Sequence, residues 1–165
     1  MNKHLVVWIS KTSYETLLEE MADHFPNETG GVLMGYWGET NTNAVITNII
    51  GPGPHAIHES TRFVPDHNYH LRQIAITYES SGRRWTYLGD WHVHPEGSIR
   101  LSRVDKRTLR RIALYEPARA PIPLMLLIGG KLKAPTMEIY VLGRMRVAYL
   151  NFRRFRKTAV KHFDD

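Results

Sequence analysis

The chain has 165 residues, 42% hydrophobic and 23% charged, which is ordinary for a soluble globular protein of one domain. It contains no cysteine, and this excludes thiol catalysis, disulfides and thiolate-bound zinc; a metal site has to be built from His, Asp, Glu and water. The formal net charge is +6, with basic clusters at Arg103, Lys106, Arg107, Arg110 and Arg111 and again at Arg144, Arg146, Arg153, Arg154, Arg156, Lys157 and Lys161. Such clusters can bind nucleic acid or an acidic protein surface, but more often they are solvated faces, and nucleic acid is not an expected partner here.

In chain order, the opening MNKHLVVWIS carries an apolar run too short for the hydrophobic region of a signal peptide. No stretch is long enough to span a bilayer, so the expectation is a cytoplasmic protein without membrane association. Leu5 to Ile9 reads as a strand. Thr12 and Glu15 have capping-box spacing, and Tyr14, Leu17, Leu18, Met21 and Phe25 recur at helical spacing, ending near Pro26. Glu28 then precedes Gly30 and Gly31, with a buried strand from Gly31 to Tyr36 and a β-branched strand from Ala44 to Ile50. Gly51-Pro52-Gly53-Pro54 opens a loop containing His55, His58 and Glu59. With no strand or helix to fix them, those histidines read as loop or substrate-contact residues rather than a second metal site.

Asp66 can cap a second helix with Leu71, Ile74, Ala75 and Tyr78 on one face, ending before Ser80-Ser81-Gly82. A strand through Trp85-Thr86-Tyr87-Leu88 leads to His92, and a helix follows from Ser102 to Leu114. Pro121 to Gly129 and Thr136 to Leu142 are further strands, Arg144 to Leu150 is one more, and the basic end at about 151–165 reads as helical. No repeat or linker divides the chain, so residues 1–165 form a single domain.

The chemistry concentrates between Gly89 and Asp105. His92 and His94 lie two residues apart, so on a strand both side chains share one face, and Pro95 ends the strand. Ser102 and Asp105 open the next helix. Two imidazoles and one carboxylate with an open fourth position are how proteins hold catalytic zinc. The plainer reading makes Ser102 a helix N-cap, Asp105 a favourable acid in the first turn and the histidines surface residues. Glu28 adds a carboxylate that can take a proton from the metal's water and later give it to a leaving amine; otherwise it is a surface glutamate. Gly30 and Gly31 leave room there for backbone or substrate.

Glu28 before Gly30-Gly31-Val32-Leu33-Met34-Gly35, then His92-x-His94-Pro95, then Ser102-x-x-Asp105, resembles the JAMM motif of the MPN/JAB-domain metallopeptidases. The resemblance covers nearly the whole chain. It implies an α/β fold, a single MPN/JAB-like domain whose curved mixed β-sheet is flanked by helices in a cytidine-deaminase-like architecture. It also implies hydrolysis of peptide or isopeptide bonds at the C-terminus of ubiquitin or a ubiquitin-like protein. Carried over by position, His92, His94 and Asp105 hold Zn2+, Glu28 is the general base and acid, and Ser102 helps bind the oxyanion. Val93 departs from the small hydroxyl residue common between the two histidines, but on a strand it faces away from the metal.

A narrower resemblance rests on Gly51-Pro52-Gly53-Pro54, Thr61-Arg62-Phe63 and Tyr87-Leu88-Gly89-Asp90-Trp91. These look like the JAB peptidases of CBASS anti-phage operons, which reverse the conjugation of a cyclic-oligonucleotide synthase through its C-terminus. The implied partner is a protein with an extended C-terminal tail, either that synthase or a ubiquitin-like protein. A sheet edge near Gly30-Gly31 could hold the tail by strand addition, with the loop from Gly51 to Thr61 assisting recognition. The alternatives are a deubiquitinase-like JAB peptidase of another bacterial pathway and a non-catalytic MPN-like binding module with a basic face. The complete metal set favours an enzyme. Amidohydrolase barrels need far more chain, the HExxH helix is absent, and so is the Asp-His that follows His-x-His in metallo-β-lactamases.

Overall fold

The computed structural model describes residues 5–40, 42–147 and 150–164. Strand β1 (Val6–Ser10) runs directly into helix α1 (Lys11–His24). Ser10 makes that junction, its hydroxyl accepting the Ser13 N–H at 3.1 Å, so the cap lies two residues before the expected Thr12. Strands β2 (Thr29–Trp37) and β3 (Asn43–Ile50) follow. The segment read as an open loop contains a short hairpin, β4 (Ile57–Glu59) and β5 (Arg62–Val64).

Helix α2 (His67–Ser80) is capped by Asp66, as its sequence implies, through the Tyr69 N–H at 3.0 Å. Its inward face differs from the expected one. His70 and Thr77 are buried and Tyr69 and Ile74 pack on the core, whereas Leu71 and Ala75 are exposed. A hydrogen bond from His70 Nε2–H to the Gly51 carbonyl, 2.9 Å, ties this face to the start of the loop. Then come β6 (Thr86–Pro95), α3 (Arg103–Leu114), a 3-10 turn (Glu116–Ala118), β7 (Leu124–Lys131), β8 (Ala134–Val147) and β9 (Leu150–Phe163).

The strands pair in the order β1-β3-β2-β6-β7-β8-β9, and β9 returns to β1. The sheet is therefore mixed, as expected, but it is a closed barrel rather than a curved open sheet. Closure comes from the basic C-terminal segment, which is a strand and not a helix. Phe155, Thr158 and Val160 face partly inward while Arg154, Arg156, Ala159 and Lys161 are exposed, the near period-two alternation of a half-buried strand. β9 pairs antiparallel with β8 (Leu142 with Phe155) and parallel with β1 (Val6 with Ala159, Ser10 with Phe163).

Among the described side chains, Arg103, Arg107, Arg110 and Arg111 of α3 and Arg154, Arg156, Lys157 and Lys161 of β9 are exposed. Lys157 pairs with Glu138 at 3.0 Å, Lys161 lies 5.0 Å over the Trp8 ring, and Arg110 lies 4.9 Å over Phe155. The two strands expected at Thr136–Leu142 and Arg144–Leu150 are largely one, because β8 runs unbroken to Val147; residues 148 and 149 lie outside the described residues.

Alternation splits the apolar residues between two sides of the sheet. One side, with Val7, Ile9, Leu33, Ile46, Leu88, Trp91, Val93, Leu126 and Ile128, joins Leu17 and Met21 of α1 in the largest core cluster. On the other side, Met125, Leu127, Tyr140 and Leu142 pack with Leu109 of α3, and Val32, Met34 and Ile50 pack near Tyr69 and Ile74 of α2. The parallel pair β6–β7 needs a crossover, and α3 supplies it. Among the described residues, no helix is long and apolar enough to cross a membrane.

Candidate active site

Register brings Glu28 to the histidines. β2 and β6 are antiparallel with Gly30 opposite His92 and Thr29 opposite Val93, so one further step places position 28 beside His94. A separation of 64 residues along the chain becomes a contact: His92 Nε2 lies 3.2 Å from Glu28 Oε2. The His92 and His94 rings meet edge-on with centroids 4.7 Å apart. One ligand atom from each of Glu28, His92 and His94 can be chosen so that all lie within 4.8 Å of one another. Val93, between the histidines, is fully buried in the largest core, so it does face away.

His94 is oriented by the turn that follows the strand. Its Nδ1–H donates to the Ser98 carbonyl at 2.9 Å, which leaves the Nε2 lone pair for another partner. The Gly97 N–H donates to the His94 carbonyl at 3.0 Å, and Tyr140 Oη–H donates to Ile99 O at 2.9 Å. β6 ends at Pro95 as anticipated.

Asp105 approaches from α3. Ser102 and Asp105 form a complete capping box: the Ser102 hydroxyl accepts the Asp105 N–H at 3.1 Å, and Asp105 Oδ2 accepts the Ser102 N–H at 2.7 Å. The other oxygen, Oδ1, lies 3.9 Å from His92 Nδ1, an ion-pair distance rather than a hydrogen bond. The cap reading is realised, and it leaves one carboxylate oxygen of Asp105 facing His92.

The electrostatics follow from this crowding. Burial by itself would strip the proton from His92, but the Asp105 and Glu28 carboxylates outweigh it and lift its pKa to about 9. Burial pushes the Asp105 carboxyl up, yet His92 and Ser102 hold it at about 2. Two residues before His92, burial raises the Asp90 carboxyl to about 6 despite the Tyr87 hydroxyl donating to it at 2.7 Å.

The space around Gly30 and Gly31 is filled. A Cβ at Gly30 would sit 2.8 Å from the Phe63 ring, and one at Gly31 would meet the Ile50 carbonyl and the Trp91 indole. Both glycines are buried; β2 pairs with β6 from Thr29 but with β3 only from Val32, so residues 29–31 have a ladder partner on one side. Nor is His58 a free loop residue. It lies in β4, and its Nδ1–H donates to the Glu28 carbonyl at 3.0 Å. Sequence reading took His58 for a loop or substrate-contact residue and missed the hairpin that sets it on Glu28 and Phe63 beside His92; the short β4–β5 stretches are below the length at which alternation is a signal.

Comparison with known proteins agrees with this arrangement. The family described as prokaryotic homologs of the JAB domain matches residues 10–143. "Probable metalloprotease y4qB" of Sinorhizobium fredii is 41% identical over 126 residues, covering 76% of each chain. A protein of Vibrio cholerae named "CD-NTase/cGAS isopeptidase" is 28% identical over 127 residues, covering 77% of this chain and 78% of its own. In fold, the chain is similar to a protein of Desulfitobacterium hafniense determined in solution, with a TM-score of 0.67 at 18% identity over 96% of this chain and 94% of that one. A match over most of the length, on a mixed sheet that gathers Glu28, His92 and His94 into one cluster with Asp105 beside His92, makes this chain a member of the prokaryotic JAB-domain family.

Proposed function

We propose that the protein is a zinc-dependent isopeptidase that cuts after the extended C-terminal tail of a conjugated protein, in a peptide or lysine isopeptide bond. The convergence of Glu28, His92, His94 and Asp105 from three separate segments carries this reading. The relatives named for isopeptidase activity on CD-NTase/cGAS support a conjugated cyclic-oligonucleotide synthase as the substrate, in anti-phage defence.

The donor set fits zinc. His94 offers a free Nε2 because its Nδ1 proton is already bonded, Asp105 keeps one oxygen beyond its helix cap, and every donor is nitrogen or oxygen. His92, His94 and Asp105 would hold the ion. Bound there, zinc supplies a Lewis acid for the scissile carbonyl and acidifies the attacking water. Glu28 would accept a proton from the attacking water and return it to the leaving amine. Ser102 already accepts the Asp105 N–H, so its own proton is left to donate to the oxyanion.

Ser102→Ala should therefore act twice. Loss of the cap lowers stability by about 1 kcal/mol, and loss of the oxyanion donor lowers kcat by about 10²–10³. Asp105 stays oriented, because it accepts from the Ser102 backbone rather than the hydroxyl. Melting temperature and kcat per folded, zinc-loaded molecule separate the two effects. An unchanged kcat would leave Ser102 as a cap only.

Substrate choice gives the test of the whole reading. An extended tail would add to the β4–β5 hairpin, a two-stranded sheet separate from the barrel, and a flexible tail can reach it where a folded loop cannot. Zinc-dependent cleavage is expected for a fusion carrying the synthase C-terminal tail, with little cleavage of casein. Casein cleaved with similar efficiency would refute tail specificity. Cleavage of ubiquitin fusions alone would move the protein to another ubiquitin-like pathway.

A further inference from the structure

The β4–β5 hairpin does more than border the site, because it holds Glu28 by both of its backbone polar groups. The Glu28 N–H donates to the Glu59 carbonyl at 2.8 Å, and the Glu28 carbonyl accepts His58 Nδ1–H at 3.0 Å. Consecutive residues of β4 thus close on one residue that precedes β2 and lies outside the barrel ladder. Without them, neither bond of residue 28 comes from its neighbouring strands, and its side chain would hang from a free strand end.

His58 is itself wedged. On one face it stacks on His24, from the last turn of α1, with ring centroids 4.0 Å apart and an interplanar angle of 23°. Phe63 of β5 lies 5.4 Å away from it and 5.7 Å from His92. Phe63 also presses against Gly30, where no side chain could fit beneath its ring. A row of rings therefore connects the end of α1, the hairpin and a histidine of the active site. Each ring limits the rotation of the next, so the imidazole of His58 is fixed both in plane and in position.

We propose that His58 is a positioning residue: through its hydrogen bond to the Glu28 carbonyl it fixes the backbone from which the general base projects, and the β4–β5 hairpin is the clamp that carries it. The catalytic half of this inference rests on Glu28 being the base. The clamp itself does not. A carboxylate that must meet a proton at hydrogen-bond distance loses much of its effect when displaced by about 1 Å, a deficit on the order of 10²-fold in rate. His58 is placed to prevent that displacement through its bond to the Glu28 carbonyl.

His58→Phe keeps an aromatic ring in the row and removes the donor. His58→Asn removes the ring and returns an N–H near the place of Nδ1. In the full-length, metal-free protein, amide hydrogen exchange at Glu28 and Thr29 is expected to quicken by tenfold or more in His58→Phe and to recover in His58→Asn. In zinc-loaded protein acting on the tail fusion, His58→Phe is expected to lower kcat by about 10- to 100-fold with KM and zinc content unchanged, and His58→Asn to restore most of it. Unchanged exchange in His58→Phe would overturn the clamp. A raised KM with unchanged kcat would overturn the positioning role and make His58 a substrate contact.

Glu28→Gln serves as the reference variant. It leaves both backbone bonds of residue 28 in place, so its exchange should match the wild type whatever happens to turnover. Full activity in Glu28→Gln would defeat the general-base reading, while the exchange measurements, which need no substrate, would still decide the clamp.

Discussion

Glu28→Gln is expected to leave the fold and bound zinc intact and to lower kcat by about 10²–10⁴, the range lost with a general acid–base group. The amide reproduces the shape of the carboxylate but lacks the basic oxygen that accepts a proton. The backbone at this position is held from β4, at 2.8 and 3.0 Å, by bonds that do not involve the side chain. Zinc analysis, thermal melting and turnover of the tail fusion check the three parts separately. Because Glu28 belongs to the same 4.8 Å cluster as both histidines, the zinc measurement also decides its role. Retained zinc with lost turnover makes it the base, zinc lost with turnover makes it a ligand, and turnover within a few-fold of wild type makes it neither.

His94→Ala should abolish stoichiometric zinc and, with it, turnover. His94 turns its Nε2 to the site, since Nδ1 is committed to the Ser98 carbonyl, and alanine leaves only one imidazole at the centre. A ligand that binds only the folded state raises stability by about 4 kcal/mol when present at 1,000 times its Kd. Added zinc should therefore raise the melting temperature of the wild type and leave that of His94→Ala nearly unmoved. A chelator should reproduce the variant's loss of activity in the wild type, and zinc should reverse it. Equal zinc content in the two proteins would remove His94 from the site.

Much of this was legible because local spacing carries it. Period two along β6 put His92 and His94 on one face and Val93 in the core, and the Ser102–Asp105 spacing marked a helix start that the capping box realises. The same reasoning misjudged the C-terminal segment. Its dense Arg and Lys residues obscured the alternation of Phe155, Thr158 and Val160, since a run of basic residues suits an exposed helix face as well as a strand face. On α2, apolar residues marked the wrong face, because His70, a polar residue, is the one bonded inward to Gly51.

The sequence by itself determined which chemistry is available. Without cysteine, a metal has to be met by histidine and carboxylate side chains, and the motif spacing offered His92, His94 and Asp105 as candidates. What the tertiary structure alone decided is how residues without a shared local period come together. Glu28 reaches His92 only through the antiparallel register of β2 with β6, and His58 and Glu59 reach Glu28 only when a short hairpin folds back over the start of β2. Barrel closure is of the same kind. β1 must pair with β3 on one side and with β9 on the other, and nothing within five residues of β1 indicates that its second partner lies at the far end of the chain. Periodicity records which face a residue takes; it does not record which distant strand will satisfy a backbone edge, and that choice is made by the backbone hydrogen bonds and apolar burial of the assembled fold.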